Sequence, residues 1–393
     1  MRLKKFACLL ALSISFSLSC GSEPTKLDLN TQTNPQNQLT PAQGVVVPAP
    51  AEFQKTFVGA MDGKFSLRMT LERQGGKLTG SYFYDKPGAF NVAERTLRLE
   101  GRVDNQGNAV LTETVQNFES GGEQKTGEFK GKLDGVSVNG DTTLRFSGTW
   151  ISAKDKKTLS FAVRELRYDL GGLKFDEQKQ KSEDRRLRYE IETALPQLAG
   201  EDAARAGKFN QAVNAFVAQR AGGFKKAVGE MARADAAARP AGEPPPAQQS
   251  SLDVSYEITA ADKNFISVLF YFSEYTGGAH PNTATSSLTY DLNRNAAVNL
   301  ADLFTPGSNH LKVISNYAIR ELKKVKTVDD PETGAAAKPE NFHSWNITPS
   351  GLKITFDRYQ VAAYAAGDHE VVVPYSVLKP IVKPDGLLAQ FVK

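Results

Sequence analysis

The chain of 393 residues has room for two ordinary domains, and its 40% hydrophobic and 9% aromatic content is that of a folded protein. The formal net charge is +4, but removing Arg2, Lys4 and Lys5 with the N-terminal leader described below leaves only about +1, so the electrostatic footprint of a nucleic-acid binder is missing. Two cysteines, Cys8 and Cys20, exclude a disulfide framework and thiolate metal clusters.

Arg2, Lys4 and Lys5 precede an apolar run from Phe6 to Phe16. That run has the length of a signal-peptide core and falls short of the ~20 residues a spanning helix needs. The following Ser17-Leu18-Ser19-Cys20-Gly21 resembles a bacterial lipobox, with its bulky aliphatic one place nearer the cysteine than in the usual pattern. The resemblance implies a leader over residues 1–19, lipidation of the Cys20 thiol, and a chain anchored to a membrane through its N-terminal lipid. Ordinary secretion with Cys20 as a stray thiol is the alternative. Residues 20–50 are polar, proline-punctuated and without periodicity, so they predict a disordered tether.

From residue 51 to 167 the pattern has period two. Phe65, Leu67, Met69 and Leu71 alternate with Ser66, Arg68, Thr70 and Glu72, as in a strand with one buried face. Turn signals such as Gly75-Gly76, Asp104-Asn-Gln-Gly107 and Asn139-Gly-Asp141 divide the segment into about eight short strands without helix. The expectation is an all-β domain, an antiparallel meander closed as a barrel or folded as a sandwich. An apolar-x-Gly-x-apolar pattern recurs at Gly80, Gly101, Gly131 and Gly148. It predicts glycines that relieve crowding where the sheet bends, or alternatively a ligand cavity walled by Tyr82, Tyr84, Phe129 and Trp150.

Residues 168–181 are charge-rich and predict a connection between domains. Beyond it, an α+β domain is expected over residues 185–393. A strand over Leu187–Glu192 leads through Pro196 to a helix near 201–238, with Phe209, Val213, Phe216, Phe224, Val228 and Met231 on one face and an interruption at Gly222-Gly223. Strands follow near 252–260, 264–274 and 284–292, then a helix near 309–325, a loop over 328–339, strands near 343–348 and 352–358, and a short helix from Pro374.

Three tracts carry a family resemblance: Gly277-Gly-Ala-His280, Leu300-Ala-Asp-Leu-Phe304 and Tyr359-Gln-Val-Ala-Ala-Tyr364-Ala-Ala-Gly367. They resemble the C-terminal domain family DUF3298, with a DUF4163-like region before it, shared by RsiV-type anti-sigma factors and PdaC-type deacetylases. The resemblance covers roughly residues 185–385 and implies an extracytoplasmic setting. In PdaC-type deacetylases it lies outside the separate metal-dependent catalytic domain, whose motifs have no match here. The RsiV-type domain binds lysozyme, so the implied partner is lysozyme or the wall glycan, peptidoglycan.

Searching for chemistry gives little. His280, His310, His343 and His369 have no metal-ligand spacing, and nucleophile elbows, phosphate loops and dinucleotide fingerprints are absent. No metal or cofactor is expected. His280, beside Tyr275 in an exposed loop, is either a ligand contact or general base, or a ring that pins the loop. Asp302 reads as a turn acceptor. Tyr359, Tyr364 and Tyr375 make a polar-aromatic strip suited to glycans or protein surfaces. The resulting expectation is a lipid-anchored envelope protein with a non-catalytic binding role through His280, Tyr275, Tyr359 and Tyr364. The alternatives are an envelope enzyme acting on peptidoglycan or another glycan, and a structural lipoprotein.

Overall fold

The structure, a computed structural model, describes residues 44–117, 122–240 and 249–392. Cys20, the leader and most of the expected tether lie outside these. The first elements are β1 (Val45–Pro48), β2 (Glu52–Met61), β3 (Phe65–Gln74), β4 (Lys77–Tyr84), β5 (Gly88–Asn91), a single turn α1 (Val92–Arg95), β6 (Leu97–Val103), β7 (Asn108–Asn117), β8 (Gly122–Val138), β9 (Asp141–Ser152) and β10 (Thr158–Glu165). Eight strands close antiparallel in the order β2-β3-β4-β6-β7-β8-β9-β10, with β10 returning to β2. This is the expected all-β fold, realised as a barrel. β1 adds to β8, so Val45–Pro48 is strand and not tether.

Inside the barrel the alternating side chains pack edge to face: Tyr82 on Phe129 (5.4 Å), Phe129 on Phe161 (4.9 Å) and Phe161 on Phe146 (4.7 Å). The buried Glu113 carboxylate accepts hydrogen bonds from Tyr82 Oη (2.6 Å) and Trp150 Nε1 (2.7 Å). The recurrent glycines do serve packing, through close approach of neighbouring backbones. A Cβ on Gly101 would sit 1.9 Å from the Val110 carbonyl oxygen, and one on Gly80 would sit 2.0 Å from that of Thr70. Gly101→Ala is therefore expected to destabilise the barrel by about 1–3 kcal/mol in urea unfolding. A change within a few tenths of a kcal/mol would contradict the close-approach account.

The rest of the chain forms β11 (Leu173–Asp184), β12 (Tyr189–Gly200), α2 (Ala203–Ala238), β13 (Ser250–Ala261), β14 (Phe265–Tyr275), β15 (Asn282–Asp291) and β16 (Ala296–Val298). These strands make one sheet in chain order, with β12 and β13 parallel and the other neighbours antiparallel. A parallel pair needs a crossover, and α2 supplies it. The helix starts at Asp202, whose side chain accepts from Arg205 N (2.9 Å), and lays Phe209, Val213, Val217, Phe224 and Val228 on the sheet. The expected break at Gly222-Gly223 does not occur, because this apolar seam holds the helix continuous on both sides of the pair. Met231, expected on that seam, is exposed. The charged segment expected as a connection is largely β11, an edge strand with most of its side chains in water.

Next come α3 (His310–Leu322), α4 (Pro331–Gly334), β17 (Trp345–Thr348), β18 (Gly351–Phe356), β19 (His369–Val373) and α5 (Tyr375–Leu378). The expected loop over 328–339 thus contains a helical turn capped by Asp330, which accepts from Thr333 N (3.0 Å). Its second sheet runs β17-β18-β19-β5, so a strand drawn from the barrel's connection between β4 and β6 completes the C-terminal sheet. The two sheets meet through Ser267 Oγ, which accepts from Ile347 N (3.1 Å), and Thr259 Oγ1, which donates to Ile347 O (2.9 Å). Among the described residues, no helix is long and apolar enough to cross a membrane.

Buried charge ties barrel and sheets together. Arg68 on β3 donates to Ile258 O (2.6 Å) and faces Glu257 (3.6 Å), Lys353 faces Glu257 (3.6 Å) and Glu370 (2.9 Å), and Arg95 pairs with Glu370 (3.0 Å). Burial opposes charge on Lys353, but Glu370 and Glu257 outweigh it and raise its pKa.

Candidate functional site

A cavity of about 510 Å³ opens between α2 and the edge of β15. Phe216, Arg220 and Phe224 line its helical wall, Phe272 and Glu274 come from β14, and Ser286 lies on β15. β16 pairs with β15 only from Thr289 onward, so the Thr285 end of β15 is an open edge. Asp357, just past β18, covers it: Oδ1 accepts from Thr285 N (2.8 Å) and Thr285 Oγ1 (2.7 Å). Thr285 Oγ1 also lies 2.9 Å from Ser344 Oγ. Both contacts have Thr285 Oγ1 as donor, so its single proton serves the Asp357 carboxylate or the Ser344 hydroxyl, one at a time.

The other carboxylate oxygen, Oδ2, faces His343 Nε2 at 3.3 Å, and His343 Nδ1 faces the Glu340 carbonyl at 3.0 Å. Both ring nitrogens therefore meet acceptors, an arrangement only the imidazolium satisfies fully. The hydrogen bond to Asp357 accordingly raises the His343 pKa above the usual 6.5 against the opposing effect of burial. A raised folded-state pKa gives stability that is complete below the unfolded value and lost as pH rises through the folded one. His343→Asn is expected to flatten the pH dependence of the melting temperature in the window just above pH 6.5; an unchanged slope there would contradict the pairing. With the His343 side chain 44% exposed, the group is open to a ligand in the cavity. It is an acid–base group held by an oriented carboxylate, next to two hydroxyl residues. That set can exchange a proton with a reacting acyl group.

The residues singled out in the sequence fall elsewhere. His280 and Tyr364 stack with centroids 4.0 Å apart, and Tyr359 lies 5.4 Å from Tyr364. Tyr364 Oη donates to Pro281 O (2.7 Å), joining the two loops, while His280 Nδ1 lies 3.1 Å from the same oxygen. Tyr275 is turned to its own loop and donates to Gly278 O (3.1 Å). Tyr375 does not join the strip; it is buried, stacks on Phe391 and donates to Thr348 O (2.6 Å). Asp302 is the expected turn acceptor, taking Asn299 N at 2.9 Å. His369 is buried against Thr327 and His310 stacks on Phe304. Among the described residues, no three His, Cys, Asp or Glu side chains converge as a metal site. Sequence reasoning missed Thr285, Ser286 and Asp357 as a group with His343; their spacing signals nothing, because the β17–β18 hairpin joins His343 to Asp357 and contact between the two sheets brings in β15.

Residues 182–283 match the family described as Deacetylase PdaC, and residues 301–376 match the protein family of unknown function DUF3298. The C-terminal part of the chain is of the PdaC/DUF3298 type. The chain is 34% identical over 140 residues to the peptidoglycan-N-acetylmuramic acid deacetylase PdaC of Bacillus subtilis, across 35% of this chain and 30% of that protein. It is 28% identical over 118 residues to the esterase Rv3036c of Mycobacterium tuberculosis, across 29% of this chain and 51% of that protein. The chain thus spans 30% and 51% of the lengths of these two curated relatives. Solved DUF3298 proteins from Bacteroides fragilis (16% identity, TM-score 0.44, 57% of this chain and 98% of that one) and Pseudomonas aeruginosa (14%, 0.37, 55% and 96%) are also similar. These findings correct the expectation of a non-catalytic binding protein. Both curated relatives are named as hydrolytic enzymes, and the matched family is described as a deacetylase.

Proposed function

We propose that this chain is a cell-envelope hydrolase that removes acyl groups from peptidoglycan or a related glycan, with the cavity between α2 and β15 as its site. One observation carries the reading. The cavity lies where the two matched segments meet, with Phe216, Arg220, Phe272 and Glu274 from the deacetylase-type segment and His343 and Asp357 from the other. The names of the curated relatives, a peptidoglycan deacetylase and an esterase, support an amide or ester as the bond cleaved.

In this reading the neutral His343 ring swings off the Glu340 carbonyl so that Nδ1 takes a proton from the attacking water or Ser286 hydroxyl, and the imidazolium returns it to the departing amine or alcohol. Asp357 positions the ring and, through Thr285 and Ser344, is itself held in place. Arg220, paired with Glu274 (2.7 Å) and placed over Phe272, puts a cation at the rim where a carbonyl oxygen would gain negative charge. Purified protein is expected to release acetate from N- or O-acetylated peptidoglycan strands, and His343→Ala to stop it. No release by the wild type, or equal release by both, would refute the proposal.

An envelope enzyme must be exported, and the leader with its Cys20 supplies a route: we propose that the Cys20 thiol carries the lipid anchor. Mass spectrometry of the mature N-terminus is expected to show a lipidated Cys20. An unmodified Cys20, or an uncut leader, would contradict the anchor.

A further inference from the structure

The loops bounding the cavity also carry an exposed set of rings that acid–base chemistry does not use. Asp357 begins a turn closed by Gln360 N on Asp357 O (3.0 Å), and Tyr359 is its third residue, with φ at +68°. That position suits Gly or Asn, because a side chain there is strained. Packing does not offset the strain, since Tyr359 is 71% exposed. Strain kept at an exposed aromatic residue is the kind of outlier that points to function. Beside it, the stacked His280 and Tyr364 are locked by the shared Pro281 carbonyl, and the Arg358 guanidinium lies 4.5 Å from the Tyr364 centroid.

We infer that His280, Tyr359 and Tyr364 form a sugar-stacking platform that receives one hexosamine unit of a glycan strand whose neighbouring unit enters the cavity. This rests on the reading of the cavity as a glycan-deacylating site. The exposed faces of Tyr359 and His280 match the polarised C–H face of a pyranose, and Tyr364, already stacked by His280 and covered by the Arg358 guanidinium, holds them in place before binding so that little entropy is lost. Arg358, whose Nε faces Asp368 at 3.9 Å, keeps its terminal N–H groups as donors for the acetamide and carboxylate oxygens such a strand carries. The platform is continuous with the cavity along the chain, because Arg358 follows Asp357 and Pro281 lies three residues before Ala284, which lines it. A folded protein partner would need a broader apolar surface. The large exposed apolar residues among those described are instead scattered, with only Tyr359 on this strip.

Isothermal titration of the whole protein with the soluble N-acetylglucosamine tetramer tests the platform. The wild type is expected to bind it saturably, and Tyr359→Gly and Tyr364→Ala to weaken binding at least tenfold. Glycine fits the positive φ, so the melting temperature of Tyr359→Gly should not fall, which separates lost binding from lost folding. Undiminished binding by Tyr359→Gly overturns the platform. So does a wild type that releases acetate from a small aryl acetate yet fails to bind the tetramer, an outcome that leaves the cavity reading standing. Tetramer binding that depends on Tyr359 and Tyr364, without turnover of any acyl substrate, upholds the platform and refutes the cavity reading.

Discussion

Asp357→Asn is expected to lower kcat/KM for acyl release by about 10²- to 10³-fold, the range of a positioned acid–base group, and to shift its pH profile. Asparagine is isosteric, so its oxygen can still accept from Thr285 N and Oγ1, and the β15 edge stays covered. What changes is the partner of His343. Nε2 would face an amide N–H in place of a carboxylate, which suits the neutral ring, with Nδ1–H donating to Glu340 O. The hydrogen bond that raises the His343 pKa is gone, so the acidic limb of the rate profile, set by deprotonation of this base, should move to lower pH while the fold persists. A merely structural role for Asp357 predicts no such movement. A loss under about fivefold with an unshifted profile would remove Asp357 from the reaction.

Glu370→Gln is expected to cost about 3 kcal/mol in urea unfolding, within the range for breaking a buried ion pair. The Glu370 and Lys353 side chains are 10% and 8% exposed, so water can do little to replace a lost partner. The carboxylate serves two cations at once, Lys353 at 2.9 Å and Arg95 at 3.0 Å. Lys353 retains Glu257, but Arg95 would keep only the Tyr84 carbonyl and the faces of Phe83 and Phe90. Because Arg95 follows the strand that the barrel connection lends to the C-terminal sheet, the loss falls where the two bodies are joined. A change under about 1 kcal/mol would mean that the network is solvated and contributes little.

The parts of the fold set by local pattern were legible in the sequence, and the parts set by distant pairing were not. Alternation at Leu67, Met69 and Leu71 predicted the barrel wall, although Phe65, expected on the same buried face, is exposed, and the seam from Phe209 to Val228 predicted α2. β5 was invisible because Gly88–Asn91 is paired by His369–Val372, some 280 residues on. β11 was hidden by its exposure, since an edge strand with polar groups on both faces has no hydrophobic period. The pair Gly222-Gly223 signalled a break that tertiary packing overrode. The aromatic tract at Tyr359 and Tyr364 was conspicuous by composition, whereas Thr285, His343 and Asp357 lie on three separate segments and meet only at a sheet edge. The expectation of a binding protein grew from that imbalance, because the conspicuous residues were exposed aromatic ones and the acid–base group was not visible.

A crystal structure of the Asp357→Asn protein soaked with an acetylated peptidoglycan fragment would test the central claim directly. The acyl group is expected between α2 and the β15 edge, its carbonyl carbon within reach of Ser286 and its leaving atom near His343. Density for the fragment in the barrel, or on a surface away from α2, His343 and the Tyr359 loop, would contradict the account.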